Sequence, residues 1–138
     1  MTKRRQAWVF SSPRPVKPQV SAPVKIEVEE KVRQFVETVL KPKYIVPPPH
    51  EGDSNYLVDI YTKWYRSYLY LCAKYACPGP NALAPFFESK FARLEFIGGS
   101  SRFNLAFMRH TGEWIEIYRD LSVDECLTAI KDDPWFQP

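Results

Sequence analysis

The sequence predicts an α+β domain: an N-terminal helix, a five-stranded and mostly antiparallel sheet, and a C-terminal helix, with both helices on one sheet face. Three observations carry this. Val28, Val32, Phe35, Val36 and Val39 recur at helical spacing near the start. Between residues 56 and 118, five segments alternate apolar and polar side chains across mostly short connections, which favour an antiparallel meander over parallel crossovers. Near the end, Ser122 stands three residues before Glu125 as a capping-box signature, and Cys126, Leu127 and Ile130 supply an apolar stripe.

Residues 1–23 read as a separate arm. Pro13, Pro15, Pro18 and Pro23 alternate with Arg14, Val16 and Lys17, which favours extended polyproline II chain without a fold of its own. The domain then runs over 24–138. Its first helix is expected from Val24, with Glu27, Glu29 and Glu30 in the first turn, where the helix dipole favours carboxylates, and Lys41-Pro42 as its end. Residues 42–55, with prolines at 47 to 49, make a stiff crossing loop.

Tyr56 to Tyr65 is the first strand. Strict alternation puts Tyr56, Val58, Ile60, Thr62 and Trp64 on one face, and Leu57, Asp59, Tyr61, Lys63 and Tyr65 on the other. Arg66-Ser67 is short enough for a hairpin turn, and Tyr68 to Tyr75 returns with Leu69, Leu71 and Ala73 on the apolar face. The stretch from Cys77 to Pro85 interrupts the sheet before Phe91 to Ile97 resumes it with Ala92, Leu94 and Phe96. Gly98 to Ser101 turns, and Arg102 to Arg109 carries Phe103, Leu105 and Phe107 inward. His110 to Gly112 turns again, Glu113 to Tyr118 is the fifth strand, and Asp133-Pro134 closes the last helix.

The 138 residues are 45% hydrophobic and 15% aromatic, which excludes a wholly disordered chain. No apolar run approaches the roughly 18 residues that a transmembrane helix needs. The formal charge of +3 hides a division. Lys3, Arg4, Arg5, Arg14, Lys17 and Lys25 face no acid in residues 1–25, so the rest of the chain holds 13 basic against 16 acidic side chains. Cys72, Cys77 and Cys126 are too few and scattered for a disulfide scaffold and are expected as reduced thiols in the cytoplasm. No secretory apolar core follows the basic start; its acid-free, Arg- and Ser-bearing composition fits an organellar transit peptide, while its prolines oppose the amphipathic helix such a peptide needs.

The polar members of each alternation make the most informative surface. Tyr61, Lys63, Tyr65, Tyr68, Tyr70, Lys74, Arg93, Glu95, Arg102, Asn104, Trp114 and Tyr118 are expected on one face. Aromatics interleaved with cations suit single-stranded nucleic acid, because bases stack on rings while Lys and Arg hold phosphates. The same composition suits a protein partner or plain packing, since tyrosine is a favoured strand residue and Tyr, Trp and Arg anchor protein contacts.

A second constellation is Asp59 on a strand, Glu88-x-Lys90 at the start of a later one, and Glu37 on the helix before them. It resembles the Asp…Glu-x-Lys signature of metal-dependent restriction-like nucleases, and that resemblance implies Mg²⁺ held by Asp59 and Glu88 with Lys90 orienting water. The bland alternative is ion pairing of Asp59 with Lys63 or Lys90. Thiol metal sites and nucleophilic triads gain no support: Cys72 and Cys77 point to opposite faces of a regular strand, and nothing marks His50 or His110 as a base for Cys77. The five scattered glycines form no phosphate loop, and no cofactor is expected.

Arg109-His-Thr-Gly-Glu-Trp114, the capped helix from Ser122 and Asp133-Pro-Trp-Phe136 together resemble the C-terminal half of a family of small bacterial domains of unknown function. That resemblance implies no activity. It implies that Arg109, Trp114 and Trp135 form one structural unit, with Trp135 and Phe136 folded back as an apolar anchor. The chain is therefore expected to be a non-catalytic interaction module whose basic arm contacts nucleic acid, a nucleoprotein or a protein, with the Asp59/Glu88/Lys90 nuclease as the alternative.

Overall fold

The computed structural model describes residues 19–48, 52, 54–99 and 101–138. Helix α1 (Ala22–Phe35) begins after Ser21 and carries Pro23 in its first turn, so Glu27, Glu29 and Glu30 lie beyond that turn rather than in it. Its buried residues continue every fourth position, through Val28, Val32, Val36 and Leu40. Spacing of four overshoots the 3.6-residue turn by about 40° per step. A π-helical turn over Val36–Leu40 takes up the drift, so Leu40 is buried where the spacing pointed to Val39. The wider turn also accommodates Pro42, and the chain stays helical as α2 (Lys41–Tyr44) instead of stopping at Lys41-Pro42.

The sheet is a meander of β1 (Tyr56–Tyr65), β2 (Tyr68–Ala76), β3 (Phe86–Gly98), β4 (Arg102–Met108) and β5 (Trp114–Ser122), each strand antiparallel to the next. Helix α3 (Val123–Asp132) follows directly, its capping box formed by Ser122 and Glu125. A 3₁₀ turn (Pro134–Phe136) closes the chain. Val28, Val32, Val36 and Leu40 meet Ile60, Leu69, Leu71, Leu94, Phe103, Leu105, Cys126 and Ile130 in one core, so both helices share a sheet face.

Three register breaks re-aim side chains. Between Leu57 and Asp59 the pairing shifts, so Leu57 joins Ile60 and Trp64 toward the helices instead of facing away from them. At Phe91, β3 bulges: Leu71 pairs with Ala92 and Cys72 with Lys90, leaving Phe91 and Ala92 both buried. The strand therefore starts at Phe86, well before the expected Phe91, because the bulge hides its alternation. In β5, pairing jumps from Leu105↔Tyr118 to Ala106↔Glu116. Tyr118 thereby turns to the helix side, where its hydroxyl donates to Asp133 Oδ2 at 2.7 Å, so it leaves the polar face assigned to it.

The expected Arg109, Trp114 and Trp135 unit divides across the sheet. Trp135 stacks on Phe107 with centroids 4.9 Å apart, and Phe136 is fully buried with its ring edge-on to Phe107. Asp133 accepts from the Trp135 N–H at 3.1 Å and so fixes this last turn. Arg109 pairs across the hairpin with Glu113 at 3.5 Å, while Trp114 lies on the opposite face against Arg93.

Candidate nucleic-acid interface on the open sheet face

The face away from the helices is lined by side chains, and no described helix packs on it. The Phe91 bulge brings Glu88 and Lys90 into the same file of outward side chains as Arg93 and Glu95, since it restores the phase across an odd step. Arg93 is its centre. Its guanidinium lies 4.9 Å from the Tyr68 ring centroid and 5.0 Å from that of Trp114. Tyr70 stands between those rings, 6.0 Å from Tyr68 and 5.6 Å from Trp114. Lys90 lies 5.7 Å over Tyr70. Among the described residues the buried Arg93 Nε has no hydrogen-bond partner.

Beside this array, Lys63, Tyr65, Tyr70, Lys90, Met108 and Trp114 border a shallow depression of ≈ 540 Å³. Tyr65 forms its exposed rim at 57% accessibility, with the Arg66 guanidinium 5.2 Å over its ring.

Glu88 organises the lower half. Its carboxylate takes a hydrogen bond from Tyr61 and ion pairs from Lys63 at 2.7 Å and Lys90 at 3.3 Å. The hydrogen bonds from Lys63 and Tyr61 hold its pKa down at about 2. Burial and then the bond to Glu88 push the Tyr61 hydroxyl upward, and the bond to Glu88 raises Lys63. Underneath, Cys72 is fully buried and burial raises its thiol to about 11.

Among the described residues, the carboxylates of the alternative metal site pair with different lysines. Asp59 pairs with Lys41 at 3.2 Å and accepts the Ile60 N–H at 2.9 Å, so its carboxylate is turned to the helix that precedes the sheet. Asp59 pairs with Lys74 and Lys74 with Glu88, which sets the two carboxylates two strand spacings apart, roughly 9.5 Å at the backbone. Glu37 also binds Lys41. Among the described residues, no three His, Cys, Asp or Glu side chains gather as a metal site.

Of the other expected binding residues, Arg102 is committed to the sheet corner. Its Nε donates to Asp120 Oδ1 at 3.0 Å and it pairs with Glu125 at 3.8 Å. Together with the Asn104 oxygen that accepts the Asp120 N–H at 3.1 Å, it holds Asp120 at a positive φ of 57°. Lys3, Arg4, Arg5, Arg14, Lys17 and His50 lie outside the described residues. Alternation pointed to Tyr61, Lys63, Tyr65, Tyr70, Arg93 and Trp114. What it missed is the clamp on Glu88, visible only once the bulge is known.

A helix-backed antiparallel sheet whose other face, among the described residues, carries aromatic and cationic side chains defines a small α+β domain. The chain matches a family described as a domain of unknown function, DUF3024, over residues 20–138, and belongs to it. The likeness read in the last third therefore extends over nearly the whole described chain. No characterised protein and no solved structure matches the chain significantly. No helix among the described residues is long and apolar enough to cross a membrane.

Proposed function

We propose that this domain is a non-catalytic module that binds single-stranded nucleic acid on its open sheet face, assisted by the basic N-terminal arm. The observation that carries this reading is the run Tyr68, Arg93, Trp114, Tyr70 and Lys90, three rings and two cations whose successive members lie 4.9 to 5.7 Å apart. Flat π-faces beside cations accept stacked bases and neighbouring phosphates together, at about 1 to 3 kcal/mol per stacked base. Charge supports it as well. The middle of the face holds Lys63, Lys74, Lys90 and Arg93 against Glu88, Glu95 and Glu116, although the chain beyond residue 25 carries 13 basic and 16 acidic side chains. The arm adds Lys3, Arg4, Arg5, Arg14 and Lys17 without an acid. The same proposal places the protein in the cytoplasm, where Cys72, Cys77 and Cys126, all unpaired, would stay reduced.

Fluorescence anisotropy tests it, with labelled single strands of about 12 nucleotides and the matching duplex, between about 50 and 200 mM salt. The reading expects single strands to bind more tightly than the duplex, with affinity falling as salt rises. Absence of binding at the lowest salt overturns it. Capture of a protein from extract that survives nuclease treatment, with no oligonucleotide binding, would assign the face to a protein partner instead.

A further inference from the structure

We propose that the chain self-associates by pairing the free edge of Phe86–Lys90 with the same segment of a second copy across a two-fold axis. The proposal stands apart from nucleic-acid binding and rests on the shape of the sheet. Pairing between β3 and β4 begins at Ala92↔Phe107, so among the described residues the first part of β3 is paired only with β2. The hairpin tip of β4 and β5 ends beside it. A cleft of ≈ 490 Å³ between Glu88–Phe91, Met108–His110 and Trp135 lies along that part of the strand.

The backbone of that edge points outward at alternate residues. Cys77 N–H donates to Pro85 C=O at 2.8 Å, which fixes residues 85, 87 and 89 as those bonded to β2. Phe86, Glu88 and Lys90 therefore direct their N–H and C=O groups away from β2, to the side where no described strand pairs. Such an edge is a template for another strand unless it is blunted. The other two outer edges are blunted: β5 is broken by two register shifts, and β1 is flanked by the Lys41 pair with Asp59.

The segment is complementary to itself. An antiparallel two-fold pairing centred on Glu88 sets Phe86 opposite the partner's Lys90 and Lys90 opposite the partner's Phe86, with about six main-chain hydrogen bonds. Phe86 is 48% exposed and already takes a cation on its ring, Lys74 at 4.5 Å. The two Glu88 carboxylates that meet at the axis each arrive with Lys63 and Lys90 bound, so the junction carries more positive than negative charge. In antiparallel pairing the two open faces lie on the same side, so the pair forms one continuous sheet with a doubled platform.

Sedimentation equilibrium of the full chain, over a dilution series of about 1 to 500 μM, tests the proposal. The expected mass rises from 16.1 kDa toward twice that value. Phe86→Lys, which faces the partner's Lys90, and Phe86→Pro, which removes one outward N–H without touching the β2 ladder, each weaken association at least about tenfold. In the wild-type chain, hydrogen exchange at Phe86, Glu88 and Lys90 slows as concentration rises, a readout that needs no variant. A constant monomer mass, a folded variant that dimerises as tightly as wild type, or exchange at these amides independent of concentration overturns the proposal.

Discussion

The Arg93 guanidinium is held between two rings, 4.9 Å from the centroid of Tyr68 and 5.0 Å from that of Trp114. Two ring faces on one planar cation fix the spacing of the array, which an ammonium on a flexible stem would not do. If the array is a stacking platform, Trp114→Ala weakens single-strand binding by about 1 to 3 kcal/mol, roughly 5- to 150-fold in Kd. Arg93→Lys also weakens it although charge is kept. Anisotropy titrations alongside thermal melts separate this from loss of fold.

Glu88 makes the platform's lower half dependent on acid. Its carboxyl titrates at about 2 in the folded chain against an ordinary value of 4.5, because Lys63 and Tyr61 bond its charged form. The unfolded chain binds the proton first as pH falls, so this stabilisation is complete above about 4.5 and is lost progressively toward 2. Melting temperatures across that window should fall less steeply for Glu88→Gln than for wild type. Parallel curves would remove Glu88 from this role.

The C-terminal closure predicts two losses of different size. Ser122→Ala removes a cap whose hydroxyl accepts the Glu125 N–H at 3.2 Å, at about 1 kcal/mol. Phe136→Ala empties a fully buried ring site and costs about 3 to 5 kcal/mol. Urea denaturation of both variants measures the ratio.

Deleting residues 1–18 tests the arm. It removes Lys3, Arg4, Arg5, Arg14 and Lys17 and leaves α1 intact, which starts at Ala22. Binding to single strands should weaken and its dependence on log salt should flatten by about 0.7 per lost phosphate contact. An unchanged slope would leave all phosphate contacts with the sheet.

The order of elements was legible because alternation and capping are local signals: Leu69, Leu71 and Ala73 point inward as read, and Ser122 caps with Glu125. The misreadings cluster where the backbone leaves its regular period. One extra residue at Val58 and one at Phe91 invert the faces of whole strand segments, and the β5 bulge carries Tyr118 away from Trp114. A π turn likewise moved the buried position from Val39 to Leu40. Tyr70, Arg93 and Trp114 were found because they sit in the regular stretches between bulges. The pairing of Glu88 with Tyr61 and Lys63 spans strands far apart in sequence, so no local spacing announced it.

The most direct test is a photocrosslinking map: the full chain with a single strand carrying 4-thiouridine or 5-bromodeoxyuridine, read by mass spectrometry of the linked peptides. Binding on the open face predicts crosslinks to Tyr65, Tyr70 and Trp114 that unlabelled competitor removes. Crosslinks confined to the helix side, at Tyr118 or Trp135, or to the arm alone, would contradict it.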